Sequence, residues 1–489
     1  MVMYNFLDSF PADKPLLSDG QINLDRAALQ ARVDDVSIAL NARHAPRAPV
    51  AILADNSPEW LVIDLATQAL GLTLVPLPLF FTPAQWAHVL QQTGAQALFC
   101  ANPASAAALG FARVVPYHGS LVLCESTGVA TAPSLDGVQK ITFTSGTTAS
   151  PKGVCLSGDQ QWEVANALRL GVEPLALERH LCLLPFAVLL ENIAGPYTAL
   201  LSGATTFCPP LAETGLAGAS QFDPHRCIAA IEKYQAHSII LLPQMLQAIV
   251  MASTDHDPRL SSLRFVAVGG ARTPPQLLAA AQARGIPVFE GYGLSECASV
   301  VALNLPGAQR SGSVGRPLSH RHLRIASDGE IEVRGNHAHY LGATSTPSEW
   351  LSTGDLGHRD ADGFLYIDGR KKNILITGFG RNVSPEWPEA LLLGSGVIAQ
   401  ALVLGDSMPY LSALIVPAAA GIRPAQLQQA VDHVNSALPD YAQIRRWAAV
   451  PPFTPANGEA TANGRPRRAA IQERHATLIA SLYVTEQPQ

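Results

Sequence analysis

Short apolar runs alternate with helix-length amphipathic segments along most of the chain before residue 300. VAILAD (50–55) reads as a strand and PEWLVIDLATQALG (58–71) as a helix with Pro58 in its first turn. LTLVPLP (72–78) is a second strand, TPAQWAHVLQQTGA (82–95) a second helix and ALFC (97–100) a third strand. The alternation returns as DPHRCIAAIEKYQAH (223–237), SIILLP (238–243), PQMLQAIVMAS (243–253), LRFVAVGG (263–270), PPQLLAAAQARG (274–285) and PVFEGYG (287–293). Such a pattern predicts parallel sheets covered by helices. Beyond residue 300 the segments become short and β-like, separated by turn pairs such as Asp328-Gly329 and Asp362-Gly363. Helices and strands resume with VIAQALVLGD (397–406), LSALIVP (411–417) and AQLQQAVDHVNSALP (425–439).

The expected fold is α/β. A large N-terminal domain (1–368) holds two helix-covered, mostly parallel sheets and a small β subdomain. A smaller, mobile α+β C-terminal domain (369–489) follows a hinge near 370–373.

Composition narrows the class. The 489 residues are 48% hydrophobic and 15% charged, so large cores can form. The net charge of −6 argues against non-specific nucleic-acid binding. Seven cysteines, an odd number with no C-x-x-C pair, point to free thiols in a cytoplasmic protein rather than a disulfide framework or zinc site. The longest apolar run, ALGLTLVPLPLFF, has 13 residues and two prolines, short of the ~20 that span a bilayer.

Four motifs carry chemistry. In ITFTSGTTASPKGV (141–154) a β-rich run feeds a loop of hydroxyl residues and glycine ending in Pro151-Lys152-Gly153. Small residues let backbone N–H and side-chain O–H groups approach phosphate oxygens, and Lys152 adds charge. FEGYGLSE (289–296) offers a tyrosine ring between glycines, then Ser295 and Glu296, a hard ligand suited to Mg²⁺. STGDLG (352–357) supplies Asp355, able to accept two ribose hydroxyls. DGRKKNILITGFGRNVSPEWPE (368–389) supplies Arg370 for the same ribose and a Gly-Lys stretch suited to a hinge.

In this order the motifs resemble the adenylate-forming superfamily of acyl-CoA synthetases, peptide-synthetase adenylation domains and beetle luciferases, over nearly the whole chain. The resemblance implies that a carboxylic acid is joined to the α-phosphate of ATP, with release of pyrophosphate, and then passed to a thiol. Thr144, Ser145, Gly146, Thr147, Thr148 and Lys152 would form the phosphate loop. Gly270, Ala271, Gly291, Tyr292 and Gly293 would enclose the adenine, Ser295 would touch phosphate, Glu296 would hold Mg²⁺, and Asp355 and Arg370 would bind ribose. Lys372 takes the hinge position, and Gly378 and Phe379 fall where a pantetheine arm enters. Homodimers are common among such proteins.

Several positions depart from the family pattern. Ala149 replaces a glycine of the phosphate loop, and Asn373 stands where an acid is common. LPFAVLLEN (184–192) places Val188 and Leu190 where fatty-acid enzymes often carry a histidine and an aromatic. It also lacks the aspartate that amino-acid-activating members use, which favours an apolar acyl or aryl acid. In FTPANGEATANGRPRR (453–468) the catalytic lysine position is Arg465, a forked planar cation in place of a point charge. Three readings follow: an acyl- or aryl-CoA synthetase, a ligase loading phosphopantetheine on an acyl carrier protein, and an adenylation-impaired nucleotide-binding homologue.

Overall fold

Each strand and helix read from the alternating pattern forms. The computed structural model of the chain describes residues 11–126, 128, 133–144, 151–218, 221–343, 348–377, 381–461 and 464–483. A nine-stranded sheet has Arg179–Leu181, Ser238–Leu241, Phe265–Val268 and Val288–Leu294 as parallel neighbours. An eight-stranded sheet is parallel at its centre, where Val50–Leu53 lies between Leu74–Pro76 and Ala97–Cys100. It becomes antiparallel toward both ends, where Lys140–Thr144 pairs with Lys152–Leu156 and places Thr144 opposite Lys152.

Local sequence sets the helix ends. Ser57 caps Pro58–Ala69 by accepting the Trp60 amide, with Pro58 pre-set for the first turn. Thr82 and Gln85 form a capping box, and Gly94 closes that helix at φ +63°. The helix Pro58–Ala69 has no solvent face: Pro58 to Gln68 are all buried. It lies in a core joining Leu17 of the nine-stranded sheet to Val50, Phe99 and Leu123 of the eight-stranded one. An apolar helix enclosed on all sides is what an interior position demands. Its one buried aspartate, Asp64, meets Lys140 Nζ at 2.9 Å.

The β subdomain is antiparallel, with strands His322–Ile325, Glu330–Arg334, Trp350–Arg359 and Leu365–Arg370. Gly329 and Gly363 turn its hairpins at φ +84° and +85°, where a side chain is strained. Downstream, Ile398–Leu404, Leu411–Pro417 and Ile444–Ala449 form a three-stranded sheet. The helices Glu386–Leu393 and Pro424–Ser436 cover one face, while Phe453 and Ile471 pack on the other.

All seven cysteines are free and buried, and burial raises Cys227 and Cys297 to about 12, so their thiols stay protonated at neutral pH. His322 and His339 lie exposed on short strands, whereas His320 is half-buried. Among the described residues no helix is long and apolar enough to cross a membrane.

Candidate active site

Asp355 is the centre of the site. It lies opposite Arg370 on neighbouring antiparallel strands, and Arg370 Nε reaches Asp355 Oδ1 at 2.8 Å. Tyr292 donates its hydroxyl to Asp355 Oδ2 at 2.6 Å. Arg370 comes from the next strand of the same hairpin, whereas Tyr292 is 63 positions away in the chain and meets them here. Burial raises the Asp355 pKa, while Arg370 and Tyr292 lower it. A carboxylate has about four acceptor positions. Two are used, so two remain on a single buried carboxylate, which suits a vicinal diol.

The backbone around Tyr292 demands small neighbours. A Cβ on Gly293 would lie 1.7 Å from the Ser299 carbonyl oxygen, and one on Gly291 would press Leu303. The register shifts between Tyr292 and Gly293, a bulge that turns the strand into the short helical turn carrying Ser295 and Glu296.

Gly270 forms the opposite wall. Its φ is +80°, and a Cβ there would lie 2.9 Å from Leu242 and 3.8 Å from Leu190. Of the two positions singled out in 184–192, Leu190 therefore lies beside Gly270. The Gly270 carbonyl accepts a hydrogen bond from Arg465 Nη2. Ala271 follows it and is exposed.

Arg465 is delivered by a tight hairpin. The Thr461 amide donates to the Arg465 carbonyl at 2.8 Å, and Thr461 Oγ1 accepts the Arg465 amide at 3.0 Å. Behind the hairpin, buried Glu459 accepts from His475 and Asn457, each at 2.8 Å. Arg468 then pairs with half-buried Glu389 at 2.7 Å. Arg465 is solvent-exposed as a residue, and desolvation beside the cleft together with Arg370 lowers its pKa while Asp355 raises it. The turn-rich stretch is thus a braced loop.

Lys152 and Glu296 converge on Tyr340. Its hydroxyl donates to Glu296 Oε1, and Lys152 Nζ lies 5.9 Å from its ring centroid. Ser295 precedes Glu296 in the same turn. Ser145, Gly146, Thr147 and Thr148 lie outside the described residues, as do Gly378 and Phe379, and only the backbone of Thr144 is described. Lys372 is exposed in the turn Lys371–Asn373, and Asn373 donates to Glu386 of the next helix.

Sequence reasoning passed over several supports. Glu330 accepts the Gly354 amide at 2.9 Å and pairs with Lys371 at 2.7 Å, which fixes both sides of Asp355. Its signal was the Asp-Gly turn just before it. Tyr340 and Glu386 offered no sequence signal beyond a strand residue and a helix start.

Glu290 sits two residues before Tyr292 and accepts the Thr273 amide at 3.2 Å. Burial pushes it up to about 7, against the pull of Thr273 and Arg272. Its unfolded value is about 4.3. The stability it contributes is therefore fully present below that value and is lost as pH rises to about 7. Melting curves of the wild type and Glu290→Gln from about pH 5 to about pH 8 check this. The wild-type Tm is expected to fall relative to the variant, and parallel curves would rule the effect out.

Residues 5–339 match the AMP-binding enzyme family, and residues 372–487 match the AMP-binding enzyme C-terminal domain. An indoleacetate–CoA ligase of Aromatoleum aromaticum is 32% identical over 425 residues, which are 78% of this chain and 80% of that protein. A feruloyl-CoA synthase of an Amycolatopsis species is 30% identical over 430 residues, 82% of this chain and 84% of that one. The solved structure of an anthranilate CoA ligase with anthranoyl-AMP shares the fold, with a TM-score of 0.80 at 21% identity. It covers 98% of this chain and 97% of that one.

Proposed function

The chain belongs to the AMP-binding enzyme family, and from that premise we propose that it is an AMP-forming acid–thiol ligase. It activates an apolar acyl or aryl carboxylic acid with ATP and transfers the acyl group to CoA. The observation that carries this reading is the convergence at Asp355. A buried carboxylate with two acceptor positions to spare faces a cation, Arg465, that comes from the C-terminal part of the chain.

In the first step a carboxylate oxygen bonds to the α-phosphorus while the bond to the β-phosphate oxygen breaks, and pyrophosphate leaves. Asp355 and Arg370 hold the ribose. Tyr292 stacks near the base, and Arg465 bears on the oxygens where charge accumulates. Lys152 and the hydroxyl loop beside it meet the outgoing phosphates. Glu296 suits Mg²⁺, which takes one or two carboxylates together with phosphate oxygens. The cation supplies charge neutralisation on the phosphates when bound. In the second step the CoA sulfur bonds to the acyl carbon, the bond to the AMP oxygen breaks, and the thiol proton passes to solvent.

The apolar character of the acid follows from Leu190 and Leu242 beside Gly270, and from Val188 at the head of the same short helix. Indoleacetate and ferulate, named for the two relatives above, define the aryl end of the class to test. A hinge near 370–373 between the parts 1–368 and 369–489 would let Arg465 withdraw before the thiol enters, in line with the exposed turn Lys371–Asn373.

ATP–pyrophosphate exchange with a panel of alkyl and aryl acids tests the reading. Exchange that depends on one subset of acids, followed by acyl-CoA formation when CoA is added, is expected. Tight ATP binding without exchange for any acid would return the adenylation-impaired reading. Acyl transfer to a holo carrier protein but not to CoA would return the carrier-ligase reading.

A further inference from the structure

Two consecutive residues behind the acyl-side wall are both fully buried and both polar: Glu191 and Asn192, at 0% exposure. They follow Leu190, whose side chain approaches Gly270. They belong to a short helix that runs directly into a π-helical turn, Ile193–Tyr197, containing Pro196. Such a segment cannot hold its position through regular helix hydrogen bonding alone, and π-turns cluster at working sites. Apolar packing would also be a poor ruler here, because it is not directional. Buried polar partners are directional.

Glu191 and Asn192 reach in opposite directions. Glu191 Oε2 accepts the amides of Leu183 and Leu184 at 3.2 and 2.8 Å, and Oε1 meets His180 Nε2 at 3.0 Å. His180 Nδ1 is in turn 3.0 Å from Ser238 Oγ. Glu191 thus ties the segment to the nine-stranded sheet. Asn192 Nδ2 donates to Asp64 Oδ2 at 3.1 Å, and its carbonyl oxygen accepts from Lys140 Nζ. Lys140 opens the strand Lys140–Thr144, whose end leads into the phosphate loop, so this side ties the segment to the eight-stranded sheet.

His180, Cys182 and Glu191 lie within 4.8 Å of one another, a spacing that would also suit a metal ion. Both nitrogens of the histidine and both oxygens of the carboxylate already have protein partners, so the trio works as a hydrogen-bonded knot.

We propose that Glu191 and Asn192 form a two-sided clamp that fixes the distance between the Val188–Leu190 wall and Gly270, and so selects which acids fit. They are positioning residues, anchored on one side by His180 and on the other by Asp64 and Lys140. The inference rests on the acid-activating function proposed above.

The test is ATP–pyrophosphate exchange with wild type, Glu191→Gln and the double variant Lys140→Met/Asp64→Leu, each checked by thermal melting. The glutamine keeps shape and removes charge. The double variant removes both buried charges together, so none is left unpaired. In either variant KM for the preferred acid is expected to rise about tenfold, as misplacement by a fraction of an ångström can produce. KM for ATP should stay within about twofold, and the ranking of narrow against broad acids should change. A folded variant with unchanged acid KM and ranking overturns the clamp. So does one in which KM for acid and ATP rise together, because that is general loosening. If Glu191→Gln does not fold, the double variant decides by the same criteria. Absence of exchange in the wild type itself would instead sink the functional reading.

Discussion

Arg465→Ala is expected to lower acid-dependent ATP–pyrophosphate exchange by about 10²–10³-fold, the usual cost of losing one preorganised donor at developing charge. Acyl-CoA formation from supplied acyl-adenylate and CoA should stay within about fivefold of wild type. The split follows from how the residue is held. Its backbone is fixed by Thr461, and the loop behind it by Glu459 and by the Arg468–Glu389 pair. None of these contacts uses the Arg465 side chain, so truncation leaves the loop standing and removes only the guanidinium. One Nη is committed to the Gly270 carbonyl, and Arg465 is close enough to Asp355 and Arg370 for their charges to act on it.

Arg465→Lys separates charge from shape. The family motif carries lysine here, but this site ties the residue to a carbonyl, and a single ammonium would have to serve that oxygen and the substrate in turn. Exchange is expected to fall about tenfold, between wild type and alanine. Exchange above wild type would mean that the arginine is a handicap. Wild-type exchange in the alanine variant would mean that it plays no part in adenylation.

The fold was legible wherever period and turn chemistry agreed. The alternation from residue 50 to 100 and from 223 to 293 became strands and helices at nearly the predicted bounds, because Ser57, Thr82 and Asp223 cap three of the helices and Pro243 and Pro275 open the other two. The helix Pro58–Ala69 shows where the pattern stops speaking. Its Asp64 is buried, and the polar partner that meets it there, Lys140, is 76 positions away. The same limit applies to the site. Asp355, Arg370 and Tyr292 were readable because short motifs bracket them. Glu330, Tyr340 and Glu191 were not, because what gives them meaning is a partner on a different element. Lys140 is the clearest case: it precedes the phosphate loop by only a few residues, yet its side chain is fully buried and pairs with Asp64.

Asp355→Ala is the second large effect, and it should fall on the nucleotide. KM for ATP is expected to rise about 100-fold, as when a site built to hydrogen-bond hydroxyls loses its acceptor. KM for the acid should change by less than about threefold. Asp355 is 4% exposed, and its two oxygens engage Arg370 and Tyr292. Removing it therefore frees a cation and a phenol at the place where a ribose is expected. Asp355→Asn is the sharper control. The amide keeps one acceptor but turns its other arm into a donor facing Arg370, so it loses the charge pairing and half of the diol recognition. It should fall near the alanine variant for ATP. 2′-Deoxy-ATP gives the deciding comparison. Wild type should discriminate against it, and both variants should accept ATP and 2′-deoxy-ATP nearly alike. If discrimination survives in Asp355→Ala, the ribose is held elsewhere, and the carboxylate serves only to brace Arg370 toward Arg465.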